Sequence, residues 1–293
     1  MEINLEEVSK IYEITDAELR MTQAHIIEMM LHGKVPSTNP IAIFDIGPAG
    51  SGKTGLNGYA VSQFPNNNII VVNNDELKPF YPKADEISKI YPEHYIKVTN
   101  EASKVWTDEL MNAAINGKYN VLYEGTGRKI KIFERMISEM KKQGYKIVVR
   151  AMAVNELNCL MSIIERYEYQ VQQKGWGRLV SLETFYKAYN NEMLDTIDAF
   201  EKSSDISLVE VYMRGTTPSQ PVKIYGSESK EFHSARAAVI TGREMDKKTA
   251  DDYYKTCFTN RTANFERTPE EKEILEHINS LYSLFKDRGD EEK

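Results

Sequence analysis

Cysteine is nearly absent: Cys159 and Cys257 stand far apart and have no neighbours at metal-ligand spacing. This excludes a disulfide framework and a zinc-finger type of site, and it points to a thiol-reducing compartment. There is no apolar run long enough to span a bilayer. The opening MEINLEEVSK has neither the basic region nor the apolar stretch of a secretory signal. Positive charge is not in excess either. Lys and Arg number 37 against 44 Asp and Glu, a net charge of −7, which argues against a general affinity for nucleic acid. The expected protein is soluble and cytoplasmic, with no membrane and no nucleic-acid partner. Repeats and low-complexity tracts are also missing.

What is abundant is aromatic: 17 Tyr and 10 Phe in 293 residues, enough burial to offset chain entropy in a packed globular protein. The organising stretch is Ile41 to Leu56, IAIFDIGPAGSGKTGL. Its apolar start reads as a short buried strand that feeds into Gly47, Pro48, Ala49, Gly50, Ser51, Gly52, Lys53 and Thr54, a full match to GxxxxGKT. Gly47 and Gly52 permit backbone angles that a Cβ forbids, and Gly50 lets the chain wrap closely around an anion. Successive N–H groups at the start of the next helix make a nest for polyphosphate. In such a loop Lys53 reaches the β and γ phosphates and the Thr54 hydroxyl holds Mg²⁺, so ATP and Mg²⁺ are the expected cofactors.

Around this loop, strands alternate with helices of ten or more residues, which specifies crossover connections and a mainly parallel sheet. Strands are expected at Ile69 to Asp75, Tyr119 to Tyr123, Tyr145 to Val154, Ile206 to Met213 and Val222 to Tyr225. Helices are expected at about Thr99 to Asn116, Lys129 to Gln143, 155 to 172 and Leu182 to Lys202. The predicted fold is a P-loop NTPase-like three-layer α/β/α architecture. Its predicted organisation is N-terminal helices over 1–40, a P-loop kinase core over 41–228 and a helical C-terminal extension over 229–293. Two roles fit that extension, a flap over the substrate cleft or a stabilising appendage.

In open parallel sheets ligands sit at the carboxyl ends of strands. Asp75 lies at such an end, where small-molecule kinases of this architecture place the base that accepts the substrate's hydroxyl proton; the alternative is a cap on the following helix. Glu124 lies in the same kind of position after the next strand, and Gly125 and Gly127 let Thr126 and Arg128 approach a ligand closely. A carboxylate, a hydroxyl and a guanidinium so close together suit recognition of a sugar and its phosphate, and an alternative for Glu124 is an outer-shell acceptor for Mg²⁺. Arg166 and Arg178 are candidates to cover the transferring phosphate, since guanidinium is planar, always charged and multidentate. The alternative for each is a surface ion pair.

GPAGSGKT, VVNNDELKPFYP, LYEGTGR and IIERYE with a following Arg, in this order and spacing, resemble the zeta toxin family of bacterial toxin–antitoxin systems over roughly Ile41 to Gly226. The resemblance implies a kinase that uses ATP and Mg²⁺ to phosphorylate the 3'-hydroxyl of the amino sugar in UDP-N-acetylglucosamine, poisoning cell-wall synthesis, and it implies a cognate antitoxin partner. On that basis Lys53 and Thr54 take nucleotide and metal, Asp75 is the base, and Glu124, Thr126 and Arg128 bind the sugar nucleotide. Arg166 and Arg178 clamp phosphate, and the family's further acidic substrate contact falls at Asp108. Two departures lie near the substrate: Tyr81-Pro82 stands where members commonly carry His-Pro, and Gln172 to Gly177 replaces the family's loop before the second Arg. A kinase for another sugar or nucleotide hydroxyl, and a nucleotide-dependent switch or hydrolase, are the competing readings.

Overall fold

A computed structural model describes residues 4–217, 220–263 and 265–290; the remaining positions, including part of the expected extension 229–293, lie outside the described residues. Six strands form one sheet: β1 (Ile41–Ile46), β2 (Ile70–Val72), β3 (Val121–Gly125), β4 (Lys146–Met152), β5 (Leu208–Met213) and β6 (Val222–Tyr225). The helices ahead of β4 are α1 (Leu5–Ile11), α2 (Asp16–Leu31), α3 (Lys53–Ser62), α4 (Asn74–Leu77), α5 (Ala84–Ile90), α6 (Pro92–Asn116) and α7 (Ile130–Lys142). Those after it are α8 (Glu156–Lys174), α9 (Leu182–Lys187), α10 (Met193–Lys202), α11 (Ala235–Met245), α12 (Lys247–Tyr253), α13 (Thr259–Thr262) and α14 (Pro269–Asp290).

The strand order is β2-β3-β1-β4-β5-β6, parallel except for the antiparallel edge strand β6. This is the P-loop kinase-like arrangement of a mostly parallel sheet with flanking helices. β1 lies between β3 and β4, and its residues Ala42 to Ile46 are all buried. An apolar run without alternation is what a strand covered on both faces requires. Because β1 leads to strands on both sides, the crevice at its carboxyl end is where such folds bind ligands.

Local chemistry explains the helix starts. Asn4 with Glu7 and Thr15 with Glu18 form reciprocal capping boxes. Trp106 of α6 donates its indole N–H to the Leu19 carbonyl at 3.0 Å, and Val8, Ile26 and Trp106 lie in one buried cluster. At the other end of the chain, Ile274, Ile278 and Tyr282 of α14 pack with Leu160, Ile163 and Ile164 of α8.

Four expected boundaries move. The strand expected over Ile69 to Asp75 stops at Val72, because Asn73 accepts the Asp75 N–H at 2.9 Å and starts α4. Asp75 is therefore inside a short helix, and Asn73 is its cap. The next strand begins at Val121, after Lys118 takes a left-handed conformation and the Asn120 side chain ties Ile41 to Asn68; Glu124 thus falls within β3. The helix expected over Leu182 to Lys202 is broken by a wide turn at Ala188–Glu192, where Asn190 leaves helical angles and Tyr189 lies 3.9 Å from the Arg243 guanidinium. Helix α6 starts earlier than expected, at Pro92, since proline is tolerated in a first turn.

Candidate active site

The phosphate loop follows β1 directly. Gly50 and Gly52 have φ of 74° and 90°. A Cβ on Gly50 would fall 2.1 Å from the Cys159 carbonyl oxygen, so glycine there is required by the packing of the loop on α8. The Lys53 ammonium arches over the loop and donates to the Gly47 and Pro48 carbonyls at 2.8 and 2.9 Å. Burial holds its pKa below the ordinary value, partly countered by the Glu124 carboxylate. Thr54 is exposed in the first turn of α3.

Asp75 faces the same side. Arg178 donates from Nη1 to its Oδ2, and Lys78 donates to its Oδ1 at 3.0 Å. Burial pushes the carboxyl up, but Arg178 and Lys78 together hold it below the usual range. It is therefore ionised at neutral pH and able to accept a proton. Asp75 also acts electrostatically on Lys53 and Arg166. The lid loop that carries Arg178 is anchored rather than loose. Trp176 packs on Tyr95 of α6 at 4.8 Å, and the Arg178 N–H donates to Gln170 at 2.8 Å.

Arg166 sits in α8, where burial and the neighbouring Arg178 lower its pKa while Asp75 and Glu124 raise it. Glu124 accepts from Asn57 of α3, and both act beneath the phosphate loop. The structure thus gathers Lys53, Asp75, Glu124, Arg166 and Arg178 into one charged crevice. Three expected residues stand apart. Arg128 is paired with Glu192 at 2.9 Å, Thr126 is exposed beyond β3, and Asp108 is exposed on α6, where its charge is felt by Tyr123. Beside Arg166, a cavity of about 570 Å³ runs along α8, lined by Ser162, Glu165, Arg166, Glu168, Tyr169, Gln172 and Arg261.

Several polar residues here escape sequence reading. Lys78 is buried, spaced one turn from Asp75, and bound also to Asn74. Below the crevice, Asp45 of β1 is in register with Glu124 and with Arg150, and Arg150 with Glu210. Arg150 pairs with Glu210 at 3.0 Å and donates to Gln63 at 2.7 Å. Asp45 is fully buried, and neither of its oxygens has a hydrogen-bond partner among the described residues. Arg214, just beyond β5, donates to the phosphate-loop carbonyl of Gly50. A single charged letter inside an apolar run was the available signal for Asp45; Arg214 had none.

The residues fit a nucleotide polyphosphate. Gly50 and Gly52 take left-handed angles in the loop, Lys53 bridges it, and the Ser51 hydroxyl is buried within it without a hydrogen-bond partner among the described residues. Among the described residues no group of three or more His, Cys, Asp or Glu could hold a metal. A cation here would be of the Mg²⁺ kind, which keeps waters and uses a hydroxyl and the nucleotide's own oxygens; Thr54 is the protein group suited to it.

A mostly parallel sheet with flanking helices and a phosphate loop after its central strand define a P-loop kinase-like protein. The zeta toxin family model matches residues 27–230, and the chain belongs to that family. It is 24% identical to Toxin zeta of Streptococcus pyogenes over 94% of each chain. It is also 24% identical to Toxin PezT of Streptococcus pneumoniae serotype 4, over 70% of this chain and 81% of that one. Among solved structures, the chromosomal PezAT toxin–antitoxin system of Streptococcus pneumoniae matches with a TM-score of 0.65 at 20% identity, covering 94% of this chain and 99% of the other. The AvrRxo1-ORF1:-ORF2 complex with ATP matches at 0.51 and 13% identity, covering 81% and 75%. Among the described residues no helix is long and apolar enough to cross a membrane.

Proposed function

We propose that this chain transfers the γ-phosphate of ATP to the 3'-hydroxyl of the amino sugar in UDP-N-acetylglucosamine and so stops cell-wall synthesis. The observation that carries the reading is Asp75, an ionised carboxylate held by Arg178 and Lys78 and felt by Lys53 of the phosphate loop. The acceptor oxygen attacks the γ-phosphorus, its proton passes to Asp75, and the bond to the β–γ bridging oxygen breaks to release ADP. Lys53 and the loop amides hold the polyphosphate, and Mg²⁺ on Thr54 would neutralise charge on it. Arg166 and Arg178 neutralise the transferring group, so Arg178 moves from Asp75 to phosphate as the site fills. Glu124, Thr126, Arg128 and Asp108 take the UDP-sugar, which requires Arg128 to leave Glu192.

Tyr81, in place of the family's histidine, is buried and donates to the Tyr12 carbonyl at 2.9 Å, so this position serves packing. The test is incubation with ATP, Mg²⁺ and a panel of UDP-sugars. A phosphorylated product that vanishes with Asp75→Ala is expected. ATP consumption at one rate with or without any sugar would overturn the kinase reading.

One matched structure is that of a toxin–antitoxin system, which supports a cognate antitoxin that covers the nucleotide or substrate site. Co-expression with the product of a small upstream reading frame should relieve growth inhibition and co-purify. The proposed division of labour is helices over 1–40, the kinase core over 41–228 and a C-terminal extension over 229–293, all acting in the cytoplasm.

A further inference from the structure

The phosphate loop has an outer side as well as an inner one, and a cation occupies it. Arg214 follows β5, two strands away from β1. Its guanidinium donates to the Gly50 carbonyl, reaches the Ser51 carbonyl at 3.5 Å, and is held by the Ser162 hydroxyl of α8 at 3.0 Å. Its Nε lies 3.4 Å from where a Cβ on Gly52 would stand. A trans peptide carries its C=O and N–H on opposite edges. Holding the Gly50 and Ser51 carbonyls outward therefore turns the Ser51 and Gly52 N–H groups inward, toward the anion. The Ser51 N–H meets only a long contact there, 3.3 Å to the Pro48 carbonyl, which a charged phosphate oxygen outcompetes.

We propose that Arg214 is a positioning residue for polyphosphate: anchored on Ser162, it fixes two successive peptide planes of the phosphate loop with their N–H groups facing the nucleotide. The reason to use a guanidinium is geometric, since a rigid planar fork spans two neighbouring carbonyls and a hydroxyl that a lysine cannot reach together. The same charge, set behind the loop, adds to the positive potential of the nest without touching the anion. This rests on the nucleotide-site reading of the loop and is independent of which sugar accepts the phosphate.

The test compares wild type, R214A and R214K by calorimetric titration with ATP and with inorganic tripolyphosphate, each with Mg²⁺, together with turnover kinetics. R214A should weaken both probes by the same factor, roughly ten- to hundred-fold, the range for loss of an outer partner that orients a binding group. R214K should recover part of the loss, and KM for the UDP-sugar should stay within about twofold of wild type. Unchanged affinity for both probes in folded R214A overturns the proposal. So does a loss confined to ATP, which would make Arg214 a base contact. Should R214A fail to fold, R214K decides: weaker binding of both probes is expected, and wild-type affinity overturns. Absence of transfer to any sugar would sink the kinase reading and leave these titrations intact.

Discussion

The same sheet carries two sets of charges with opposite fates. At the rim, Asp75, Arg166 and Arg178 stand at or near the surface of the crevice, and Asp75 is half exposed even when paired. Beneath it, Asp45, Arg150 and Glu210 form a row across β1, β4 and β5 that solvent barely reaches. Asp75 and Arg178 are attached to short or irregular elements, α4 and the loop after α8, and they pair in an arrangement that an incoming anion can exchange, while Arg166 stands beside them on α8. The floor charges are locked by strand register, and their partners are fixed. Exchangeable pairing suits chemistry, whereas fixed pairing shapes the ground on which that chemistry stands.

Breaking the rim should cost activity and little else. Asp75→Asn is expected to lower phosphate transfer about 10³-fold, in the range for loss of a positioned general base. Stability should fall by no more than about 1–2 kcal/mol, because Lys78 keeps Asn74 and the amide oxygen still accepts a bond. Transfer assays set beside urea unfolding check this, and a variant that unfolds without a specific loss of transfer would erase the distinction. Breaking the floor should do the reverse. Arg150→Met leaves Glu210 buried with a weakened set of donors and should cost about 3–5 kcal/mol of unfolding free energy. ATP affinity of the folded fraction should stay near wild type.

Lys53, Glu124 and Arg178 are legible in the sequence because they sit in glycine-punctuated stretches, Asp75 because it follows a strand, and Arg166 through the resemblance of IIERYE to the family; the alternation of strands and helices carries the sheet. What could not be read is anything set by register between strands. Asp45 meets Arg150 only because β1 and β4 pair at that residue, and Arg214 meets Gly50 across 164 positions of chain. The start of α4 escapes the sequence because the Asn73 side chain caps it within an apolar-led strand, and the break of the helix at Asn190 has no comparable signal. The Arg128–Glu192 pair is equally invisible, since it depends on how the turn Ala188–Glu192 approaches the loop after β3.

The smallest expected effect is the most direct probe of the floor. Asp45 has its pKa raised by burial, an effect that Arg150 reduces and Glu124 and Glu210 increase, to about 8 from an ordinary 3.8. A folded state that keeps a proton the unfolded chain releases loses stability as pH rises. Asp45 therefore imposes no penalty below about pH 4, a growing one between about 4 and 8, and a constant one above. Asp45→Asn is close in shape and cannot ionise, so it should match wild type near pH 4 and exceed it by about 2 kcal/mol at pH 8, below the limit of ~1.4 kcal/mol per pH unit. Glu168, raised to about 7 by burial, gives a slope of the same sign and Asp75 one of the opposite sign, so the informative quantity is the difference between the two proteins at each pH. Urea unfolding at intervals from pH 5 to 9 measures it. A gap that does not widen with pH would mean that Asp45 is ionised in the fold and compensated by Arg150, which would make the floor as exchangeable as the rim.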